Sequence, residues 1–523
     1  MRKDCGEVEI IYMGDNSQNN KRIAKNTLML YVRMILIMLV SLYTSRVILK
    51  TLGVENFGIY NIVGGIVILF AFINNAMVSS TQRYLNYELG RQNIEEAKKI
   101  FSASLTIHFI IAAIIIFLLE TIGLWFLNKY INIPEGRIAA ANWVYQFSIL
   151  TFAVNIIRTP YNASIIAYER MSFYAYISII EVILKLIIVY AIVIFADRLI
   201  AYSVLVLIVA IVILICYIIF CLSKFPICKY HYEYNKSRYA SLLNFSGWSM
   251  FGALANTGAQ QGINILLNMF FGVTVNAAMG IAHQVNSALY SFVSNFQTAF
   301  NPQIIKSYAA NDRSYFFSLI LNTSRYSFYL LYILAFPIIL CCQEVLQIWL
   351  VDVPEHAVAF CQLVIIFSLI DAWQGPLWVS AQATGKIKNY QLLMSCLILL
   401  NLPLTYILFK FIHIPELALI VRVFINIVTS ITRVLYLKHL YNFPVAKYIK
   451  SVILRSLLVV AIAAPIPAIL YNMIDKSLLG TIIIIAACVI ITIMAIYYIG
   501  ITAKEKLYIK SIIRKFCMRK QII

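Results

Sequence analysis

Charge is what this sequence most conspicuously lacks, since Asp, Glu, Lys and Arg together supply 12% of its 523 residues. An ordinary soluble domain carries about 25%. With 62% hydrophobic residues and a mean hydropathy of +0.84, water is excluded as the main solvent. Acids are scarcer still, 22 against 42 Lys and Arg, for a net charge of +20. Nucleic-acid binding would explain such an excess in a soluble chain, but here its meaning depends on where the cations lie. No nucleic-acid partner is expected.

Catalytic and cofactor signatures are also missing. The stretch ATGKIK lacks the earlier glycine of a phosphate-binding loop, and neither HExxH nor GxSxG occurs. His108, His283 and His413 stand alone in apolar surroundings. The ten cysteines lie mostly inside apolar runs without the paired spacing of a metal site, so they read as small apolar fillers. The chain is expected to be no enzyme and to need no cofactor or metal. No cleavable signal precedes the first apolar run, so the N-terminus is expected to stay attached, with Met13 a candidate start.

What is present is a series of long apolar runs. A bilayer core about 30 Å thick needs roughly 20 residues per crossing helix. Runs of that length fall at about 27–49, 56–81, 100–127, 139–160, 171–196 and 199–222, then at 243–270, 274–302, 316–342, 355–380, 388–411 and 416–440. A final pair lies near 447–472 and 478–501. The expected fold is an all-α polytopic membrane protein with about 14 transmembrane helices in two pseudo-symmetric six-helix lobes plus a C-terminal pair. Its expected organisation is a segment 1–26, an N-lobe 27–222, a linker 223–242, a C-lobe 243–440, the pair within 441–502 and a basic tail 503–523.

The distribution of cations orients these spans. When helix ends are assigned to the nearer side, one side holds 30 Lys and Arg, the other 7 and the spans 5. Cytoplasmic segments carry the excess, so both termini are expected inside. The opposite loops are short, which disfavours a membrane polymerase or glycosyltransferase. A weak internal repeat supports the two lobes: ILKTLGVENFG resembles ILLNMFFGVTVNAAMG, with Gly53-Val54 facing Gly272-Val273.

Polar residues inside the spans are the candidate site. A charge at the bilayer centre costs roughly 3 kcal/mol, so each should face a cavity or a partner. Arg33, Lys185, Arg325, Arg422 and Arg455 enter the spans, against Glu181, Asp371 and, nearer the outside, Glu120. Snorkelling to the headgroups is the alternative for Arg33 and Arg455, and a mutually neutralising pair for Glu181 and Lys185, four apart on one face. Asp371 and Glu181 are the candidate acids for coupling to H+ or Na+. Amides are denser than packing needs: Asn256, Gln260, Gln261, Asn264 and Asn268 in the seventh span, Gln284, Asn286, Asn295 and Gln297 in the eighth, and Asn74 and Asn75 in the second. Such runs fit a wet lumen. Asn155, Arg158 and Asn162 share a face beside Pro160, and Arg422, Asn426, Ser430 and Arg433 make a similar stripe.

The stretch NKRIAKNTLMLYVRMILIMLVSLYTSRVILKTLGVENFGIYNIVGGIVILFAFINNAMVSSTQRYLNYELG strongly resembles the start of bacterial Wzx-like polysaccharide flippases. RTPYNASIIAYERMSFYAYISIIEVILKL looks like that family's fourth-to-fifth helix segment. The family shares a superfamily with multidrug exporters and peptidoglycan-precursor flippases. The resemblance implies a V-shaped bundle in a bacterial inner membrane with a cationic central cavity, working by alternating access on a polyprenyl-diphosphate-linked oligosaccharide. It further implies that Arg33, with Arg46, Arg158 and Arg325, holds the diphosphate, and that other polysaccharide assembly proteins and membrane lipids are partners. A cation-coupled multidrug or metabolite exporter of the same architecture is the rival.

Overall fold

The computed structural model describes residues 4–68, 71–130, 133–232, 235–350, 352–503 and 505–507, though not every side chain within them. Among these the chain is helical throughout, without strands. The first half holds α1 (Asp4–Ile68), α2 (Ala71–Gly90), α3 (Ile94–Leu118), α4 (Leu124–Tyr130), α5 (Ile138–Ala167), α6 (Met171–Ala191) and α7 (Arg198–Lys224). The second holds α8 (Lys236–Phe271), α9 (Val273–Ala309), α10 (Arg313–Leu340), α11 (Cys342–Leu350), α12 (Ala357–Ala383), α13 (Lys388–Leu399), α14 (Asn401–Phe411) and α15 (Leu417–Tyr441). Four shorter helices finish the described chain: α16 (Val445–Tyr448), α17 (Leu454–Ala463), α18 (Pro465–Met473) and α19 (Leu478–Ala495). The break at Ala464 falls just before Pro465, which lacks the N–H to continue α17 but suits the first turn of α18.

Eleven helices of the described residues are long and apolar enough to cross a membrane, where the sequence leads one to expect about 14. Two of the shortfall are α8 and α9, of 36 and 37 residues, whose length suffices but whose amides depress their hydropathy. Large apolar side chains stay exposed along the spans: Phe117 is 67% exposed and Ile219 63%. In lipid such faces need no protein cover, which reverses the rule for soluble surfaces.

Two compact units emerge. The first comprises 1–254, 298–312 and 382–391; the second 255–297, 313–381 and 392–523. The cytoplasmic ends expected for the second half, at the end of α9 and in the α12–α13 turn, thus pack with the first half. In the first unit Ile100, Phe101, Ile165, Ile177, Tyr217 and Cys221 form one buried core, and Ile59, Val144, Tyr145 and Ile149 another. In the second, Leu267, Met279, Phe360, Val364 and Phe409 are packed together.

The repeat seen in the sequence has a backbone counterpart. Gly53, at the kink where two helical segments of α1 meet, and Gly272, between α8 and α9, both adopt positive φ, 80° and 83°. A Cβ would meet nothing within 4 Å at either, so conformation rather than space selects glycine. Each sharp break lets one span end and the next begin with almost no loop. Changing either to Ala should cost about 1 kcal/mol, read as a lower unfolding midpoint in detergent; a midpoint unchanged at both positions would show that the break tolerates a side chain.

Candidate functional site: a cationic cluster in the first unit

The α5–α6 turn folds these two helices back on each other, which fixes the depth of the residues along them. The sequence puts Arg158 near the inner end of a span closing at about 160. The structure instead carries α5 on to Ala167, nine residues beyond Arg158. At 1.5 Å per residue this places Arg158 about 13 Å from the turn. Glu181, ten residues into α6, lies at the matching depth. Its carboxylate accepts from Arg158 Nη1 at 2.9 Å and from Lys185 Nζ at 2.8 Å.

Arg33 completes the group from α1. Its guanidinium lies over the Tyr174 ring at 4.4 Å, and that of Arg158 is 5.6 Å from the Tyr217 ring. Arg33 Nε is buried without a hydrogen-bond partner, and no carboxylate pairs with Arg33 among the described residues. Three cations therefore stand in this region against one acid, which is bonded to two of them, a formal local charge of about +2. Glu181 bonds both neighbours, and its side chain is 20% exposed. Lys185, 39% exposed, is more accessible than Arg158, at 23%.

A polar ladder leads away from this cluster. Ser148, Thr151, Asn155 and Arg158 recur at helical spacing on one face of α5. The first three line a cavity of roughly 180 Å³ shared with Tyr60 and Ser203. Hydroxyls and amides thus begin where the charges stop. Asn162, on the same stripe, has a buried Oδ1 without a partner.

The remaining expected residues are dispersed. Arg325 is not in an open lumen: its side chain is 3% exposed and ion-paired with Glu505, beside Tyr326. Arg422 lies over the Phe367 ring at 4.3 Å, with Nη1 buried and unbonded, and within electrostatic reach of Asp371. Asp371 accepts a 2.6 Å hydrogen bond from the Tyr290 hydroxyl, a partner with no signature in the sequence. Gln297, expected to line the lumen, is buried and donates to Ser327 Oγ at 3.1 Å and the Ala372 carbonyl at 3.2 Å. Gln260, Asn264 and Asn286 are half-buried, whereas Gln261 and Gln284 are exposed; Asn264 donates to Gln261 at 3.1 Å. Asn426 and Arg433 bind Gln374 of α12, which makes their stripe a packing seam. The side chains of Arg46 and Asn75 lie outside the described residues.

Tyr174 and Tyr217 were not singled out by the sequence reading. In a chain with 34 tyrosines nothing marks these two, although Tyr174 lies seven residues, two turns, before Glu181. Among the described residues no group of three His, Cys, Asp or Glu side chains could hold a metal ion.

No protein-family model and no curated protein matches the sequence. Solved structures match its fold. One is an outward-facing multidrug resistance MATE family transporter of the MOP superfamily, with TM-score 0.70 and 12% identity over 82% of this chain and 96% of that one. Another is MATE in its straight conformation, with TM-score 0.70 and 13% identity over 83% and 97%. A third is a MOP superfamily transporter from Pyrococcus furiosus Vc1 (DSM3638), described by the reverse polarity of its binding pocket, which suggests a different function; TM-score is 0.67 and identity 13% over 82% and 96%. At such identities the likeness establishes the shared fold.

Proposed function

We propose that the chain is a membrane transporter that works by alternating access and carries a polyprenyl-diphosphate-linked oligosaccharide from the cytoplasmic to the outer leaflet of a bacterial inner membrane. The observation that carries this reading is the cluster of Arg33, Arg158 and Lys185 around the single acid Glu181. A diphosphate cannot enter hydrocarbon without losing its hydration, and fixed cations replace that hydration. Arg33, without a competing carboxylate, is the first contact, and Glu181 holds the two others in place. The cavity along α5, where Ser148, Thr151, Asn155 and Ser203 stand beside Val67, Phe152 and Val206, offers a sugar both hydrogen-bonding groups and apolar faces, and the polyprenyl tail stays in lipid.

An interior-negative potential favours the outward movement of anions by about 2.3 kcal/mol per charge per 100 mV. Glu181, held by two cations, is poorly placed to pick up a coupling proton. Asp371, held by Tyr290 and facing Arg422, remains the residue through which H+ or Na+ would couple.

The second reading, a multidrug or metabolite exporter, draws on the MATE structures that share the fold. Against it stands the sign of the cluster, and a fold-mate with reversed pocket polarity shows that one scaffold accommodates either sign. Reconstitution in vesicles with labelled polyprenyl-diphosphate oligosaccharide and, separately, an organic cation decides between them. Lipid flipping without cation export is expected; cation export alone would overturn the proposal.

A further inference from the structure

Four of the cysteines stand in two contacting pairs that no site described above uses. In the second unit Cys342, the first residue of α11, and Cys361 of α12 are 2% and 0% exposed and share an apolar core with Phe360 and Val364. Their thiols are in hydrogen-bonding contact. A second contact fixes the same placement, because the Cys342 thiol also donates to the Val358 carbonyl at 3.8 Å, one helical turn before Cys361 on α12. Cys341, though adjacent in sequence, interacts instead with Cys488 of α19.

The other pair lies in the first unit, where Cys221, near the end of α7, meets Cys228 in the turn that follows. Both are buried, and the Cys221 thiol donates to the Tyr161 carbonyl at 3.6 Å. The alternation of spans assigns the two pairs to different compartments. Cys221 and Cys228 come at the end of the sixth apolar run, on the side that Lys and Arg mark as cytoplasmic, whereas Cys342 and Cys361 flank the connection between the ninth and tenth, on the opposite side. Thiols are kept reduced inside, and disulfides persist outside.

We propose that Cys342 and Cys361 are joined by a disulfide in the mature protein, while Cys221 and Cys228 remain thiols. One thiolate attacks the disulfide of an extracytoplasmic disulfide carrier to give a mixed disulfide, and the second thiolate displaces the carrier. The pair thereby loses two protons and two electrons, and the carrier leaves as a dithiol. Because the packed pair is closed to a carrier, the bond forms during insertion, before α11 settles on α12. Its effect is local and mechanical. With nine residues α11 is too short to hold its own shape, and the disulfide fastens it to α12. Glu344, two residues on, accepts from the Tyr471 hydroxyl of α18 at 2.7 Å, so the fastened helix also seats α18.

The disulfide rests on the orientation of the transporter reading and not on its cargo. Cells making the full chain are quenched in acid, and the denatured protein is labelled with light maleimide, reduced, and labelled again with heavy maleimide. Mass spectrometry should find heavy label on Cys342 and Cys361 and light label on Cys221, Cys228 and Cys341. Cys361→Ser should turn Cys342 to light label, and Cys341→Ser should leave it heavy. Light label on Cys342 and Cys361 in the parent overturns the disulfide, and so does heavy label on both pairs, which marks oxidation in handling. Heavy label on Cys221 and Cys228 alone overturns the disulfide together with the assigned orientation. Light label at Cys342 alongside intact lipid flipping removes only the disulfide; heavy label there with no lipid flipping removes only the cargo.

Discussion

Flipping of a polyprenyl-diphosphate oligosaccharide falls at least about a hundredfold when Arg33 and Arg158 are both changed to Gln, because each hydrogen bond from a charged donor is worth about 1.5–3 kcal/mol and 1.4 kcal/mol is tenfold. The double change leaves Glu181 paired with Lys185, so no acid is stranded in the membrane. Folded yield should therefore hold. Lys185→Gln should have the smaller effect, since that side chain is more exposed than Arg158 and Glu181 retains Arg158. Initial rates in proteoliposomes measure all of this. A parental rate in the double variant would show that the cluster supports the bundle and does not hold cargo. An unchanged lipid rate with faster uptake of an organic cation would move the chain to the exporter reading.

The largest loss of stability is expected in the second unit, on Glu505→Ala. Arg325 would be left buried without its carboxylate, and breaking a buried pair from one side costs about 3 kcal/mol or more. Removing both charges, as Arg325→Met with Glu505→Ala, should recover much of that loss, which separates a buried-charge penalty from lost packing. Apparent unfolding midpoints in detergent supply the comparison, and a double variant no better than Glu505→Ala would count against this account. The pair also has a pH signature. Burial works against the charged carboxylate, but hydrogen bonds from Tyr326 and from the Thr502 N–H and the Arg325 guanidinium outweigh it and hold Glu505 below its usual 4.5. A depressed acid stabilises fully above its unfolded value. The contribution is therefore present at neutral pH and disappears as the pH falls below about 4.5 and through the lower, folded value. In Glu505→Gln the stability lost over that acid range should be smaller.

The architecture was legible because lipid imposes it. Any chain crossing a bilayer must repeat apolar runs of one length, and the runs at 171–196 and 199–222 closely match α6 and α7. Paired glycines at matching places in the two halves also announced themselves, and both proved to carry the positive φ that glycine tolerates best. Partnerships were less readable. Glu181 with Lys185 follows from helical spacing, yet its bond to Arg158 depends on how far α5 runs past Pro160, which hydropathy does not register once polar residues return. Arg325 looked like a lumen cation because its partner stands 180 positions away, beyond the last span. Asp371 takes its hydrogen bond from Tyr290, a partner that no spacing in the sequence marks.

The amide-rich faces of α8 and α9 bear on how the protein is made. A segment enters the bilayer from the translocon when its own transfer energy is favourable, and each polar residue near the centre reduces that gain. With Asn256, Gln260, Gln261, Asn264 and Gln284, Asn286, Asn295 set into them, these two helices are weak inserters taken singly, and the near-absent loop at Gly272 leaves them no room to go in far apart. They are best delivered as a hairpin, sheltered by helices already in place, so biogenesis of the chain should hesitate at its midpoint and depend there on insertion factors more than anywhere else along its length.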